Sequence, residues 1–144
     1  IHTILYFIKD KSLYMTQIMK HLFACDMLSM KEHDMTISNF SYCALPYGPV
    51  IDQYKVFFAF LLANNYTDFD FDEDIDKPKY IANVPFDSNL FTEEELACME
   101  YVKNTLKGKS SIELSKWSHQ FDAWVKTEVG HKIDLRKYID DFNI

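Results

Sequence analysis

The stretch LPYGPVIDQYKVFFAFLL, residues 45–62, decides the fold of this chain. Tyr47-Gly48-Pro49 predicts a turn that opens a helix, because glycine adopts backbone angles that other residues resist and proline has a φ suited to the first helical position. After Pro49, apolar residues recur at the spacing of one buried helical face. They are Val50, Ile51, Tyr54, Phe57, Phe58, Leu61 and Leu62. We therefore predict a helix that begins at Pro49, ends at Asn64 and lies buried at the centre of the domain.

The composition fits one globular domain over residues 1–144. Of these residues, 48% are hydrophobic and 26% are charged, with only three glycines and four prolines. A chain of this length can bury a core of its own, and so few turn residues favour helices joined by short loops. The start at Ile1 rather than Met is compatible with the C-terminal part of a longer protein.

The net charge of −7 disfavours nonspecific binding to nucleic acid, which requires clustered Lys and Arg. It suits a basic protein partner, because complementary fields steer encounter. The alternative is that the charge only keeps the protein soluble.

Cysteine usage favours a reducing compartment, which we take to be the cytoplasm. Cys25, Cys43 and Cys98 are odd in number and form no CxxC pair. No apolar run approaches the ~20 residues that a membrane-spanning helix requires. No signal peptide is visible.

The remaining patterns of the N-terminal half predict a helix and a sheet. Thr16 has the hydroxyl of an N-cap, and the apolar residues after it predict a second helix that runs to about Met30 and is buried on much of its surface. Residues 35–45 alternate with a change of phase near Ser38, which indicates a strand with a bulge. Residues 79–84 predict another strand. We expect these two strands to pair in an antiparallel sheet.

The C-terminal third is predicted to be helical. Thr92 and Glu95 form a capping box before an apolar stripe, and Ser110 or Ser111 caps the next helix. Residues 121–126 continue the helical pattern, and a last short helix is predicted over residues 135–142. The fold class is therefore mainly α (α+β), a compact helical domain with a small antiparallel β-sheet.

An acidic stretch follows the predicted central helix. Its aspartates occupy positions 1, 3, 5, 7 and 9 of a potential calcium loop and are Asp68, Asp70, Asp72, Asp74 and Asp76. However, Glu73 stands where the sharp turn needs glycine, and Lys79 stands where a bidentate glutamate is needed. The two mismatches favour a solvated acidic loop or a patch for a basic partner over a calcium site.

Other reactive side chains give no clear sign of chemistry. His21 and Cys25 share a helical face, but no paired spacing supplies two further zinc ligands, so a core cysteine and a surface histidine are expected. Cys43 with His119 as base lacks an activating glycine-rich turn or helix N-terminus. We therefore predict no catalytic residue, no metal and no cofactor.

His119 and Trp124 lie within two helical turns of each other. Histidine can link two elements through its two ring nitrogens, and tryptophan is often dominant in interfaces. A buried cluster that locks the last helices onto the core is an equally open interpretation.

These motifs, taken in order, resemble the Panacea domain of the SocA-like antitoxin family. Members carry a YGPV turn, here residues 47–50, then an apolar helix and, further downstream, an (S/T)H…W motif, here Ser118-His119 and Trp124. The second helix and the stretch TEEELACMEYV, residues 92–102, lie where the family has helices. The acidic stretch is not a family signature.

The resemblance implies the antitoxin of a bacterial or phage toxin–antitoxin pair, which binds and neutralises a toxin that often inhibits translation. Alternatives are an adaptor that delivers the toxin to a protease, or the dimerisation or sensing half of a transcription regulator. An enzyme that uses His119 is a further alternative. A homodimer stays open, and no nucleic-acid or membrane contact is expected from this domain itself.

Partner contacts are expected at two places, the turn with its neighbours and the acidic stretch. The residues are Tyr47, Gly48, Pro49, His119 and Trp124 at the first place, and Asp68, Asp70, Asp72 and Asp74 at the second.

Overall fold

A 19-residue helix, Met15–His33, forms the centre of the fold in the computed structural model, which describes residues 1–71 and 77–144. In chain order the helices and strands are α1 (His2–Ile8), β1 (Leu13–Tyr14), α2 (Met15–His33), β2 (Tyr42–Leu45), β3 (Gly48–Ile51), α3 (Tyr54–Ala63), β4 (Thr67–Asp70), β5 (Lys79–Ala82), α4 (Glu93–Thr105), α5 (Ser111–Ser118) and α6 (Asp122–Val125). Short 3-10 helices lie at Ser88–Leu90 and Leu135–Tyr138.

Helix α2 is the core element against which most others pack. It contacts α1, α4, α5, β3 and the second 3-10 helix, and its wide apolar face is buried as predicted. Thr16 does not cap it. Its N-cap is Tyr14, two residues earlier, and the N–H of Tyr14 donates to Oε1 of Gln17 over 2.9 Å. The prediction that α2 is a buried helix is therefore confirmed, but the central position belongs to α2 and not to residues 49–64.

The prediction of a helix from Pro49 is wrong, because residues 48–51 form strand β3. This strand pairs antiparallel with β2, Leu45 opposite Gly48 and Ala44 opposite Pro49, so the chain turns over two residues. Both backbone groups of Ala44 bond to residues other than Pro49: its N–H donates to His131 O (3.0 Å) and its carbonyl accepts from Gly130 N–H (2.7 Å). Proline has no N–H to donate, and the Ala44–Pro49 pair requires none.

The helix that follows, α3, is also less buried than predicted. It begins at Tyr54, after Gln53 in the left-handed conformation (φ 59°), and of its ten residues only Phe58 and Leu61 are buried. It lies at the edge of the domain, so the prediction that it is central and substantially buried is wrong. The apolar recurrence is real, but α3 is apolar on its outer side as well.

The predicted sheet also forms with different partners. Strand β5 pairs with β1 and β4 in the order β1-β5-β4, with Tyr80 opposite both Leu13 and Phe69. Residues 35–41 form no strand. The N–H groups of Ile37 and Ser38 donate to the carboxylate of Asp26 over 2.8 and 2.9 Å, and are therefore not free to join a ladder.

The predicted helix starts of the C-terminal third are confirmed. Thr92 Oγ1 accepts from the N–H of Glu95 at 3.1 Å, and Ser110 Oγ accepts from the N–H of Glu113 at 3.2 Å. The last helix is shorter than predicted. About 49% of the structure is helical and 14% is strand, which confirms the α+β class with small antiparallel sheets. No helix in residues 1–71 and 77–144 is long and apolar enough to cross a membrane.

Candidate functional site

The β2–β3 turn presents Tyr47 to solvent on a closely held backbone. The side chain of Tyr47 is 76% exposed, whereas Gly48 and Pro49 are buried beneath it. Gly48 has φ +111°, and a Cβ there would lie 2.3 Å from Ser118 Oγ and 2.7 Å from Lys20 Cε. Glycine is therefore required twice, once for its backbone angle and once for the close approach of α2 and α5.

A buried lysine holds the turn to α2. Nζ of Lys20 donates to the carbonyl of Pro49 over 2.9 Å, and the side chain is almost completely buried. Burial disfavours the ammonium form and lowers the pKa of Lys20 to about 8. Lys20 was not recognised from the sequence, since a single lysine within an apolar helix gives no sign that it points at a turn 29 residues away.

Helices α5 and α6 fix the other side of the turn. Oγ of Ser115 donates to the carbonyl of Tyr47 over 2.9 Å. Nε1 of Trp124 donates to the carbonyl of Leu45 over 2.7 Å. These bonds hold the chain on both sides of Pro46, so the loop that carries Tyr47 is anchored by three helices.

His119 packs flat against Trp124, with ring centroids 3.9 Å apart and planes 16° from parallel. Both side chains are half-buried. Nε2 of His119 is buried and has no hydrogen-bond partner among the described residues. The structure thus brings His119 and Trp124 to the turn, where His119 supports the indole that bonds to Leu45.

The acidic residues belong to a different part of the fold. Asp68 and Asp70 lie on β4, in the sheet with β5, and not in a loop. Asp68 is exposed, and its carboxylate accepts from the N–H of Phe69 over 2.7 Å. Asp72 and Asp74 lie outside the described residues. The two predicted contact regions are therefore carried by different sheets.

Cys43 and His21, two of the reactive side chains in the sequence, each lie beside a polar group of a neighbouring residue. Sγ of Cys43 lies 3.7 Å from Oδ1 of Asp52, and burial followed by this carboxylate raises the pKa of the Cys43 thiol. His21 is buried rather than on the surface, with Nδ1 2.7 Å from the Gln17 carbonyl. Within residues 1–71 and 77–144, no group of three or more His, Cys, Asp or Glu side chains is placed to hold a metal.

One surface was missed by the sequence analysis. An open groove of about 400 Å³ lies along the outer side of α3, between Phe40 and the helix residues Val56, Phe57 and Phe60. The signal was present in the sequence, because the helix contains a single charged residue, Lys55, where an edge helix normally has a polar face.

The family model of the SocA-like antitoxin, Panacea domain, matches residues 18–125. The chain belongs to this family. The match begins in α2 and ends in α6, so it includes the turn together with its anchors Lys20, Ser115 and Trp124. Comparison with curated proteins and with solved structures gave no match.

Membership of the SocA-like family supports an antitoxin role and a toxin as partner. Families of antitoxins are generally not enzymatic. The resemblance drawn from the YGPV and SH…W motifs is therefore confirmed. The structure adds how the two motifs meet: Tyr47 lies in the β2–β3 turn, Gly48-Pro49-Val50 begins strand β3, and Trp124 of the second motif donates to the carbonyl of Leu45 beside that turn.

Proposed function

We propose that this protein neutralises a toxin, one that inhibits translation, by binding it directly. The observation that carries the proposal is Tyr47, a large aromatic side chain that is 76% exposed on a loop whose backbone is held by Lys20 and Ser115. Exposed aromatics on rigid elements make effective interface anchors, because little conformational freedom is lost when they bind.

A shallow groove beside Tyr47 gives the partner a place to enter. It has a volume of about 260 Å³ and is lined by Tyr47, by Thr16 and Lys20 of α2, and by residues of α5 that include Ile112 and Lys116. Ile112 is itself exposed. We assign toxin contact to Tyr47 and to the accessible edges of His119 and Trp124. Gly48 and Pro49 are buried, so in this proposal they act by holding Tyr47 in place.

The acidic residues supply the second contact of the proposal. Toxins that act on RNA or ribosomes tend to be basic, since their targets carry phosphate charge. The carboxylates of Asp68, Asp70, Asp72 and Asp74 add to a net charge of −7, which would speed the encounter with such a toxin at low salt. Neutralisation in this form requires no chemistry by the antitoxin.

The proposal is tested by co-expression with the product of the neighbouring gene. We expect that product to stop growth alone and to be tolerated with the wild-type protein. Tyr47→Ala should weaken binding at least 5-fold, the cost of losing an interface anchor of more than 1 kcal/mol. Tyr101→Ala is the matched control, since Tyr101 is 49% exposed on a different helix, α4.

The result that overturns the proposal is a toxic neighbour that the wild-type protein neither binds nor neutralises. The level of the toxin separates the two mechanisms. Neutralisation by occlusion predicts that the toxin accumulates beside the antitoxin, whereas an adaptor predicts that it is degraded.

A further inference from the structure

The outer side of α3 is apolar and uncovered. Val56 is 67% exposed and Phe60 is 45% exposed, on a helix whose only charged residue is Lys55. A helix that is apolar on nearly all sides is normally buried on all sides. In this structure α3 buries only Phe58 and Leu61 fully, and among the described residues nothing covers its outer side at Val56 and Phe60.

The exposed Val56 and Phe60 and the half-buried rings beside them form one continuous surface. The ring of Phe57 meets Phe40 edge-on with centroids 4.9 Å apart, and stacks on Phe60 with centroids 6.2 Å apart. Phe60 in turn stacks on Tyr66 at 6.3 Å. We call this surface the α3 aromatic strip and define it as Phe40, Val56, Phe57, Phe60 and Tyr66. A row of ordered rings presents flat, rigid faces, which suits the docking of another apolar surface.

We propose that the α3 aromatic strip docks a basic amphipathic segment of the toxin, a helix with apolar residues on one face and Lys or Arg beside them. This inference rests on the proposed function, because it names where and by what chemistry the toxin is held. It adds a surface that is separate from the Tyr47 turn.

The exposed Asp68 beyond the C-terminal end of α3 is the charge that favours a basic occupant there, whereas the N-terminal end of α3 carries Lys55. At one end Asp52 is paired with Lys132, with Oδ2 and Nζ 3.5 Å apart, and is therefore largely neutralised. At the other end Tyr66 leads directly into β4, where Asp68 is exposed. A cation of the partner near Tyr66 would meet the Asp68 carboxylate and the faces of the exposed rings, both of which attract Lys and Arg.

The strip fits a segment better than a second copy of this chain. Only two of its five side chains, Val56 and Phe60, are exposed, which is far less surface than the about 800 Å² per partner that a stable interface needs. A symmetric dimer would also bring the acidic β4 strands of two chains, each with a net charge of −7, toward the same contact.

The test compares two surface substitutions in the full chain. Val56→Lys places a charge in the strip, and Leu90→Lys is the control, because Leu90 is 60% exposed and does not line the strip. The probe is the toxic product of the neighbouring gene, with affinity measured by calorimetry. We expect at least 10-fold weaker binding and loss of growth rescue for Val56→Lys, and a change of less than 2-fold for Leu90→Lys. Phe60→Gln provides a second variant should Val56→Lys lower the melting temperature.

The charge of the occupant is tested separately. Asp68→Lys should weaken toxin binding several-fold at low salt and flatten its salt dependence, whereas Glu128→Lys, at a side chain that is 80% exposed, should leave both unchanged. Equal effects of the two variants would overturn the basic-segment assignment.

The outcomes separate this inference from the proposed function. If the wild-type chain does not bind the toxin, the proposed function fails and the inference fails with it. If the wild-type chain rescues growth and Val56→Lys rescues equally well, only the inference fails. If sedimentation shows a wild-type dimer that Val56→Lys dissociates, the strip is covered by a second copy and the inference is overturned.

Discussion

The close approach at Gly48 makes Gly48→Ala the most informative single change. The methyl group would have to share space with Oγ of Ser118, 2.3 Å away, and with Cε of Lys20, 2.7 Å away. The Lys20 atom is the end of a flexible chain, but it is tied to the Pro49 carbonyl. The Ser118 hydroxyl is completely buried and donates to the carbonyl of Ser115 over 2.8 Å. Both neighbours are therefore held in place by a hydrogen bond.

The expected loss follows from three contributions. Placing an L-residue at φ +111° costs about 1–2 kcal/mol, and overpacking a filled interior costs about 1–3 kcal/mol. Alanine also lowers the conformational entropy of the unfolded chain, which offsets about 0.4–1 kcal/mol of this cost. Gly48→Ala should therefore lower the free energy of unfolding by about 1–5 kcal/mol, a large part of the roughly 5–15 kcal/mol of a typical domain.

The assay is urea unfolding of four proteins: wild type, Gly48→Ala, Ser118→Ala and the double variant. Removing the Ser118 hydroxyl relieves the shortest contact, so the double variant should be more stable than additivity predicts by at least about 1 kcal/mol. The unfolding slope should not change, because the exposed area is the same. A loss below about 1 kcal/mol for Gly48→Ala, or strict additivity in the double variant, would refute the packing described for this turn.

Three further changes test the buried polar contacts. The first compares the wild type with Lys20→Met by urea unfolding. Between pH 7 and pH 9 the free energy of unfolding of the wild type should rise by about 1.3 kcal/mol relative to that of the variant, because the native ammonium of Lys20, with its pKa lowered to about 8, loses its proton at lower pH than the unfolded one does. A difference that does not change with pH would contradict the burial of Lys20. Trp124→Phe removes the donor to the Leu45 carbonyl and should cost about 1–3 kcal/mol by thermal unfolding, while an unchanged midpoint would show that this bond does not hold the turn. Asp26→Asn should cost about 2–4 kcal/mol in the same assay, since an amide group would face the hydroxyl of Tyr42 and the backbone donors that the carboxylate now accepts; a neutral effect would argue against that network.

Much of the candidate site was recognisable from the sequence as a set of motifs, but not as an arrangement. The turn at Tyr47-Gly48-Pro49 and the SH…W motif were each recognised, and the family match confirms that they belong together. Their contacts, however, run through the backbone. Trp124 bonds to the carbonyl of Leu45 and Lys20 to that of Pro49. Every residue has a backbone carbonyl, so the spacing of residue types does not reveal which side chain donates a hydrogen bond to which carbonyl.

The sequence by itself determined the features that arise within about four residues. The caps at Thr92 and Ser110 and the apolar period of α2 follow from local hydrogen bonding and side-chain spacing, as does the α+β class. Such signals act between neighbours in the chain, so they can be read before any tertiary contact forms.

Tertiary structure alone decided whether residues 48–51 became helix or strand and which helix took the centre. Gly130 and His131 bond to both backbone groups of Ala44, so Pro49 opposite it, which has no N–H, is not needed as a donor. That partner is more than 80 residues away in the chain, beyond the reach of any local pattern. The central position of α2 is also set by tertiary packing, because the longer α2 buries more of its side chains than α3 does. The apolar side of α3 that is left uncovered is where we expect the partner.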